Sequence, residues 1–195
     1  VAWVFPIFLV VLNSFKKKVY ISKKPFALPT GKMFVGLENY VNGINKTGLI
    51  SAFGWSVFIT VFSVAAIILF CSMTAWYITR VKSKVTSTIY YLCLFSMIVP
   101  FQMVMYTLSK IANMLKLGNP VGIIVVYLGF GAGLSVFMFT GFCKSIPIEI
   151  EEAAMIDGCN PLQTFFKVVM PIMKPTCITV TILQAMWKVY TLPSE

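Results

Sequence analysis

The 195-residue sequence contains no histidine, and only six carboxylates stand against sixteen Lys and Arg residues. Without histidine, a Ser–His or Cys–His catalytic dyad and a His-based metal centre are excluded from this stretch of chain. The five cysteines, Cys71, Cys93, Cys143, Cys159 and Cys177, show no C-x-x-C spacing, and most lie in apolar runs where a thiol packs as a small apolar group. No G-x-x-x-x-G-K-[ST] loop is present to cradle phosphates, so the chain lacks that machinery for hydrolysing ATP. No Asp or Glu falls within a long apolar run. Carriers driven by protons or sodium usually need an ionisable group inside the membrane, so secondary transport is disfavoured as well.

What the chain has in abundance is apolar surface. Hydrophobic residues make up 58% of it and charged residues 11%, where a soluble domain carries about 25%. The mean hydropathy is +0.87. A globule of this size cannot hide so much apolar surface from water, and the expected environment is a lipid bilayer. Residues 47–79, 85–109 and 117–143 carry no charge at all. A spanning helix needs roughly 20 apolar residues, because each residue rises about 1.5 Å across a hydrocarbon core about 30 Å thick. The sequence therefore predicts an all-α, polytopic bundle with helices at about 1–13, 49–77, 88–108, 121–142 and 170–190. Lys174 and Lys188 lie near the ends of the last of these, where long side chains snorkel to the headgroups.

The opening VAWVFPIFLVVLNSF has no initiator Met, no basic n-region and no small-residue cleavage site, so it reads as a first spanning helix cut at its start. The other end, MWKVYTLPSE, stops just after an apolar segment and reads as a second truncation. Between the predicted helices, the loops at about 13–48 and 109–119 hold nine lysines, whereas 80–87 and 144–167 hold Arg80, Lys82, Lys84, Lys144 and Lys167. The positive-inside rule, applied to that count alone, places the second pair of loops outside the cell.

Negative charge is concentrated in one place. Glu149, Glu151, Glu152 and Asp157 fall within nine residues of EIEEAAMIDGCNPLQTFFKVVMP, residues 149–171. Glu149 and Glu152 share a helix face, yet no ligand or nucleophile stands at a matching interval, so neither catalytic nor metal-binding residues are predicted. Ser145 and Pro147 mark a helix start, with acids in the first turns where the dipole favours them. Ala153 and Ala154 remove bulk from its middle, and Gly158 suits a left-handed cap. Asn160, Pro161 and Gln163 then have the spacing of a capping box on a second helix, which Pro171 is expected to end. The stretch is helix, glycine turn, helix. It is either a solvated connector or a docking element whose small residues admit a partner closely and whose acids meet basic groups.

The stretch IPIEIEEAAMIDGCNPLQTFFKVVMPIMKP resembles the EAA loop of ABC importer permeases, in the residues Glu152, Ala153, Ala154 and Gly158, with Asp157 before the glycine and Pro171 at the family proline. Met170 stands where Leu is usual and Cys159 where a small residue is common. GLENY (36–40), MIVPFQ (97–102), FKVVMPIMKP (166–175) and WKVYTLP (187–193) resemble the carbohydrate branch of those permeases, the maltose-type inner-membrane component, although Trp187-Lys188-Val189 departs from its usual Trp-Asn-Asp. The resemblance covers nearly the whole chain. It implies a type I ABC importer permease-like fold, truncated at both ends, with a sixth spanning helix missing after Glu195.

It also implies that loop 145–169 is cytoplasmic and forms the coupling helix, with Glu149, Glu152, Ala153, Ala154, Asp157, Gly158 and Pro171 as its coupling residues. That topology opposes the lysine count and turns the lysine-rich loop 16–46 outward. The implied partners are two ATP-binding subunits that carry ATP and magnesium, a second homologous permease subunit, an extracellular solute-binding protein and the lipid of the cell membrane. Nucleic acid is not among them. The implied cargo is a carbohydrate, with another small solute such as a glycerol phosphate as the alternative. A non-transporting membrane scaffold is the rival from another class.

For the pathway, Pro100 is expected to kink the third helix and turn Gln102 and Tyr106 toward a polar route, with Gln184 as another buried amide. For these three, an interhelical hydrogen bond and contact with solute both remain open. Trp187 and Tyr190 fit either an aromatic belt or a sugar-stacking surface. GFGAG at 129–133 has the look of a nucleotide fingerprint but no strand before it, so Gly129 and Gly133 are expected to serve close helix packing.

Overall fold

In hydrocarbon, a backbone must satisfy its own hydrogen bonds, and long apolar runs do so by coiling into helix. The computed structural model describes residues 3–191, with side chains through residue 188, and its regular elements are all helical. Residues 1–2 and 192–195, which include parts of the expected first helix and of the WKVYTLP motif, lie outside the described residues, as does the side chain of Tyr190. The chain divides into two compact units, residues 1–54 and 55–195.

The first unit contains α1 (Phe5–Ser14), α2 (Lys18–Lys23), a 3-10 turn (Gly31–Met33), α3 (Glu38–Thr47) and the first residues of α4 (Leu49–Arg80). Its lysine-rich segment is not a loose tether. Lys16 is fully buried, and its Nζ donates to Asn13 Oδ1 at 2.9 Å and to the carbonyls of Lys24 and Pro25 at 3.0 Å each. Asn39 Nδ2 donates to the Ser14 and Lys16 carbonyls, and Phe15 packs between Phe34 and Tyr40. One lysine thus closes the segment onto itself, while Lys17, Lys18, Lys23, Lys24 and Lys32 stay exposed.

The second unit contains the rest of α4, then α5 (Lys84–Ile98), α6 (Phe101–Met114), α7 (Pro120–Cys143), α8 (Ile148–Ile156), α9 (Pro161–Thr164), a π-helical turn (Phe165–Val169), α10 (Met170–Ile172) and α11 (Lys174–Thr191). Among the described residues, α4 and α7 are long and apolar enough to cross a membrane, and the pairs α5–α6 and α9–α11 pass the same test if each bent pair is one span. Its core joins α4, α7, the π turn and α11 through Ile67, Cys71, Ala75, Val136, Phe139, Cys143, Phe165, Val169, Met173 and Val180.

Three local expectations differ from what is seen. The single helix expected at 88–108 is two helices meeting at 109°. Pro100 has no N–H to donate and forces Val99 into an extended conformation (ψ 119°), and Pro100 itself is extended (ψ 135°), so the helix stops and restarts instead of kinking. Second, Pro171 does not end the helix that precedes it. The chain stays helical through Ile172 and breaks at Met173, where it bends by 75°. The π turn just before Pro171 widens the coil where the proline ring would otherwise strike the carbonyl four residues back.

Third, the close packing falls to Gly131 and Gly133, while a Cβ on Gly129 would meet nothing within 4 Å. On Gly133 it would lie 2.6 Å from Ser96 Oγ and 2.8 Å from the Cys93 carbonyl, so α5 crosses α7 against bare backbone. On Gly131 it would strike Ile67 of α4 and lie 2.9 Å from Gln184 Oε1.

Candidate functional site

The acid-rich stretch folds as helix, turn and helix. Pro147 precedes α8, with Glu149 and Glu151 in its first turn. Ser145, expected to open the helix, instead donates its hydroxyl back to the Phe142 carbonyl, closing the end of α7. Gly158 sits at φ +88°, where a side chain would be strained, and turns the chain out of α8. Asn160 Oδ1 accepts from Gln163 N at 2.8 Å while Gln163 Oε1 accepts from Asn160 N at 2.9 Å, a complete capping box with Pro161 in the first turn.

The period of α8 sorts its residues. Glu149, Glu152, Ala153, Asp157 and Gly158 are all exposed, as is Pro171 beyond the π turn. Beside them Ile156 is 85% exposed and Met155 45%. The outer face is therefore mixed, acids next to bare aliphatic surface. Ala154 turns inward and is nearly buried.

The residue that shares the inner face with Ala154 is Glu151, and its side chain is 3% exposed. Arg80, at the last turn of α4, meets it with a forked contact: Nη2 donates to Oε1 at 2.7 Å and Nε to the same oxygen at 3.0 Å. The other carboxylate oxygen accepts from Trp76 Nε1 at 2.9 Å. Arg80 Nη2 also reaches the carbonyls of Ile146 (3.0 Å), in the link to α8, and Cys143 (3.4 Å), at the end of α7. Trp76 in turn packs on Phe165 of the π turn, ring centroids 5.3 Å apart. Four elements are thereby pinned at one point, and the buried carboxylate is paired and hydrogen-bonded, as burial demands.

Composition held one signal for this pair. Arg80 is the only arginine among sixteen basic residues, and the planar guanidinium fork is the group suited to a buried carboxylate. Glu151 belongs to the acidic run, but its inward phase shows only once the bounds of α8 are known.

The residues expected along a pathway do not form one cluster. Gln102 and Tyr106 lie on the exposed side of α6, Tyr106 at 84%. Gln184 is buried, and its Nε2 donates to the Gly131 carbonyl at 3.2 Å and to Ser135 Oγ at 3.1 Å, so the amide ties α11 to α7. Trp187 joins Phe101 (6.1 Å) and Phe130 (6.4 Å) in an aromatic group where α6, α7 and α11 meet. Lys188, one turn past Gln184, is buried with its ammonium 5.5 Å from the Tyr127 ring.

Residues 69–192, from the C-terminal part of α4 through the whole acid-rich stretch and beyond, match the family of binding-protein-dependent transport system inner membrane components. The chain belongs to that family. It is a membrane permease component. Over 194 residues it is 37% identical to AmyC of Thermoanaerobacterium thermosulfurigenes, a probable starch degradation products transport system permease protein, a match that takes in 98% of this chain and 70% of the relative. Over 185 residues it is 34% identical to MsmG of Streptococcus mutans, a multiple sugar-binding transport system permease protein, covering 93% of this chain and 65% of that one. A diacetylchitobiose uptake system permease protein, NgcG of Streptomyces coelicolor, is 29% identical over 191 residues, 96% of this chain and 62% of its own length. This permease chain thus spans between 62% and 70% of these three relatives.

In fold it is similar to a chain from the crystal structure of a bacterial ABC transporter involved in the import of the acidic polysaccharide alginate. The TM-score is 0.68 at 22% identity, over 96% of this chain and 65% of the other.

Proposed function

We propose that this permease chain is a transmembrane subunit of an ATP-binding-cassette importer that carries a carbohydrate, with α8 as the cytoplasmic helix that receives work from a partner ATPase. The observation that carries the reading is the outer face of α8. Glu149, Glu152 and Asp157 stand exposed beside Ile156, and Gly158 makes the turn that presents them. A mixed acidic and aliphatic face on a short helix outside the spans suits a basic, partly apolar cleft on another protein. The chain has no phosphate-cradling loop of its own, so a nucleotide-hydrolysing partner would bind ATP and magnesium and supply the energy. Closure of that partner would then displace α8 as a rigid body, and the attached helices would rock between inward and outward access. Two such ATPase subunits, a second permease chain to complete the pore and an extracellular solute-binding protein complete the assembly we infer. The cytoplasmic placement of α8 follows the family resemblance over the lysine count. Sugar as the cargo follows the names of the relatives.

The test is to express the importer with this chain carrying Glu152→Lys or Gly158→Pro. Both variants are expected to insert normally and to lose ATPase co-purification and solute uptake together. Uptake driven by ATP through the Gly158→Pro chain would refute the reading.

A further inference from the structure

A docking helix transmits motion only if something stiff joins it to the bundle. The covalent links of α8 are poor candidates. On one side, residues 144–147 separate it from α7, and on the other residues 157–160, turning at the left-handed Gly158, separate it from α9. The stiff connection runs sideways. Glu151 uses both carboxylate oxygens on α4, one for Arg80 and one for Trp76, across 71 and 75 residues of sequence. The same guanidinium holds the Ile146 and Cys143 carbonyls, so the link to α7 is fixed to α4 as well. Trp76 carries Phe165 against its ring, which fixes the second arm of the loop. With the two charged side chains 18% and 3% exposed, water has little access to compete for these bonds.

We propose that Arg80, Glu151 and Trp76 form a rigid joint that makes α8 and α4 one moving body, so that displacement of the docking helix enters the bundle through the side of α4 instead of through its chain neighbours. This rests on the coupling role proposed for α8. Glu151 and Arg80 act as positioning residues: they touch neither nucleotide nor solute. A joint of this kind explains why the carboxylate next to the docking residues turns inward, and why the chain's only arginine stands where a guanidinium can hold three elements at once.

The joint is tested in the assembled importer by pulsed electron paramagnetic resonance. Spin labels are placed on Ile156→Cys and Tyr77→Cys, both exposed, in a Cys159→Ser background. One narrow distance that is the same without nucleotide and with vanadate-trapped ADP is expected for the otherwise native chain. Glu151→Gln and Arg80→Gln are expected to retain the ATPase subunits yet show a distance that broadens or shifts with nucleotide. Arg80→Lys, which keeps the charge and loses the fork, should fall between them and keeps the test open if the harsher variants fold poorly. A nucleotide-dependent distance in the native chain, or an unchanged narrow distance in Glu151→Gln, would overturn the joint. Failure of the native chain to retain any ATPase subunit would instead refute the coupling function on which the joint depends.

Discussion

Two polar joints hold α7, and they differ in kind. Near its end, Arg80 pairs with Glu151 through two hydrogen bonds between full charges and donates to the Ile146 and Cys143 carbonyls as well. Twelve residues earlier the Gly131 carbonyl takes one bond from the neutral Gln184 amide. At 1.5 Å per residue the two points are about 18 Å apart along the axis, so Gly131 falls near the middle of a hydrocarbon slab about 30 Å thick while Cys143 falls at its edge. The contrast follows from the solvent. An ion is costly at mid-depth, and an amide that donates to a carbonyl and a hydroxyl is much less so. At the edge, a charge that is fully paired costs less and fixes geometry more firmly. One joint is built to hold an angle between elements, the other to hold two helices side by side.

That contrast predicts a ranking of effects, read as thermal melting of the purified chain in detergent. Arg80→Ala leaves Glu151 buried without its partner and is expected to cost about 3–5 kcal/mol. Gly133→Ala comes next, at about 1–3 kcal/mol, because the new methyl meets the Cys93 carbonyl of α5, which is backbone and yields little. Gly129→Ala, four residues away with open space around it, should be close to neutral, and a large loss there would contradict the packing described. Gly158→Ala should cost about 1–2 kcal/mol through left-handed strain alone, since no atom lies within 4 Å of the added carbon. Of the changes that remove or strain a contact, Gln184→Leu should cost least, about 0.6 kcal/mol, the typical value of a hydrogen bond between membrane helices. A loss at Gln184 as large as that at Arg80 would erase the distinction between the two joints.

Much of this was legible in the sequence where a local rule governs. Charge-free runs marked α4 and α7 because hydrocarbon leaves a backbone little choice but helix. The capping box at Asn160 and the left-handed turn at Gly158 are contained within four or five residues, and each could be named from residue type. Pro100 signals a kink from residue type alone but not its angle, because a proline removes one hydrogen bond and the packing around it decides how far the chain turns. Pro171 was expected to stop a helix, and the π turn that accommodates it has no composition signal. The Arg80–Glu151 pair is invisible to local rules for a different reason. Its partners are 71 residues apart, and nothing periodic connects the end of one helix to the inner face of another. The same holds for Gly131 against Gln184, a contact set by which face of α7 meets α11.

A coupling role requires α8 to lie on the cytoplasmic side, against the direction in which the lysine count points. The most direct measurement is thiol labelling of Glu152→Cys, in a Cys159→Ser background, with a membrane-impermeant maleimide. The label is expected to react only after the cells are permeabilised. Reaction in intact cells would place the docking face outside, beyond the reach of any ATP-hydrolysing partner, and would contradict the account.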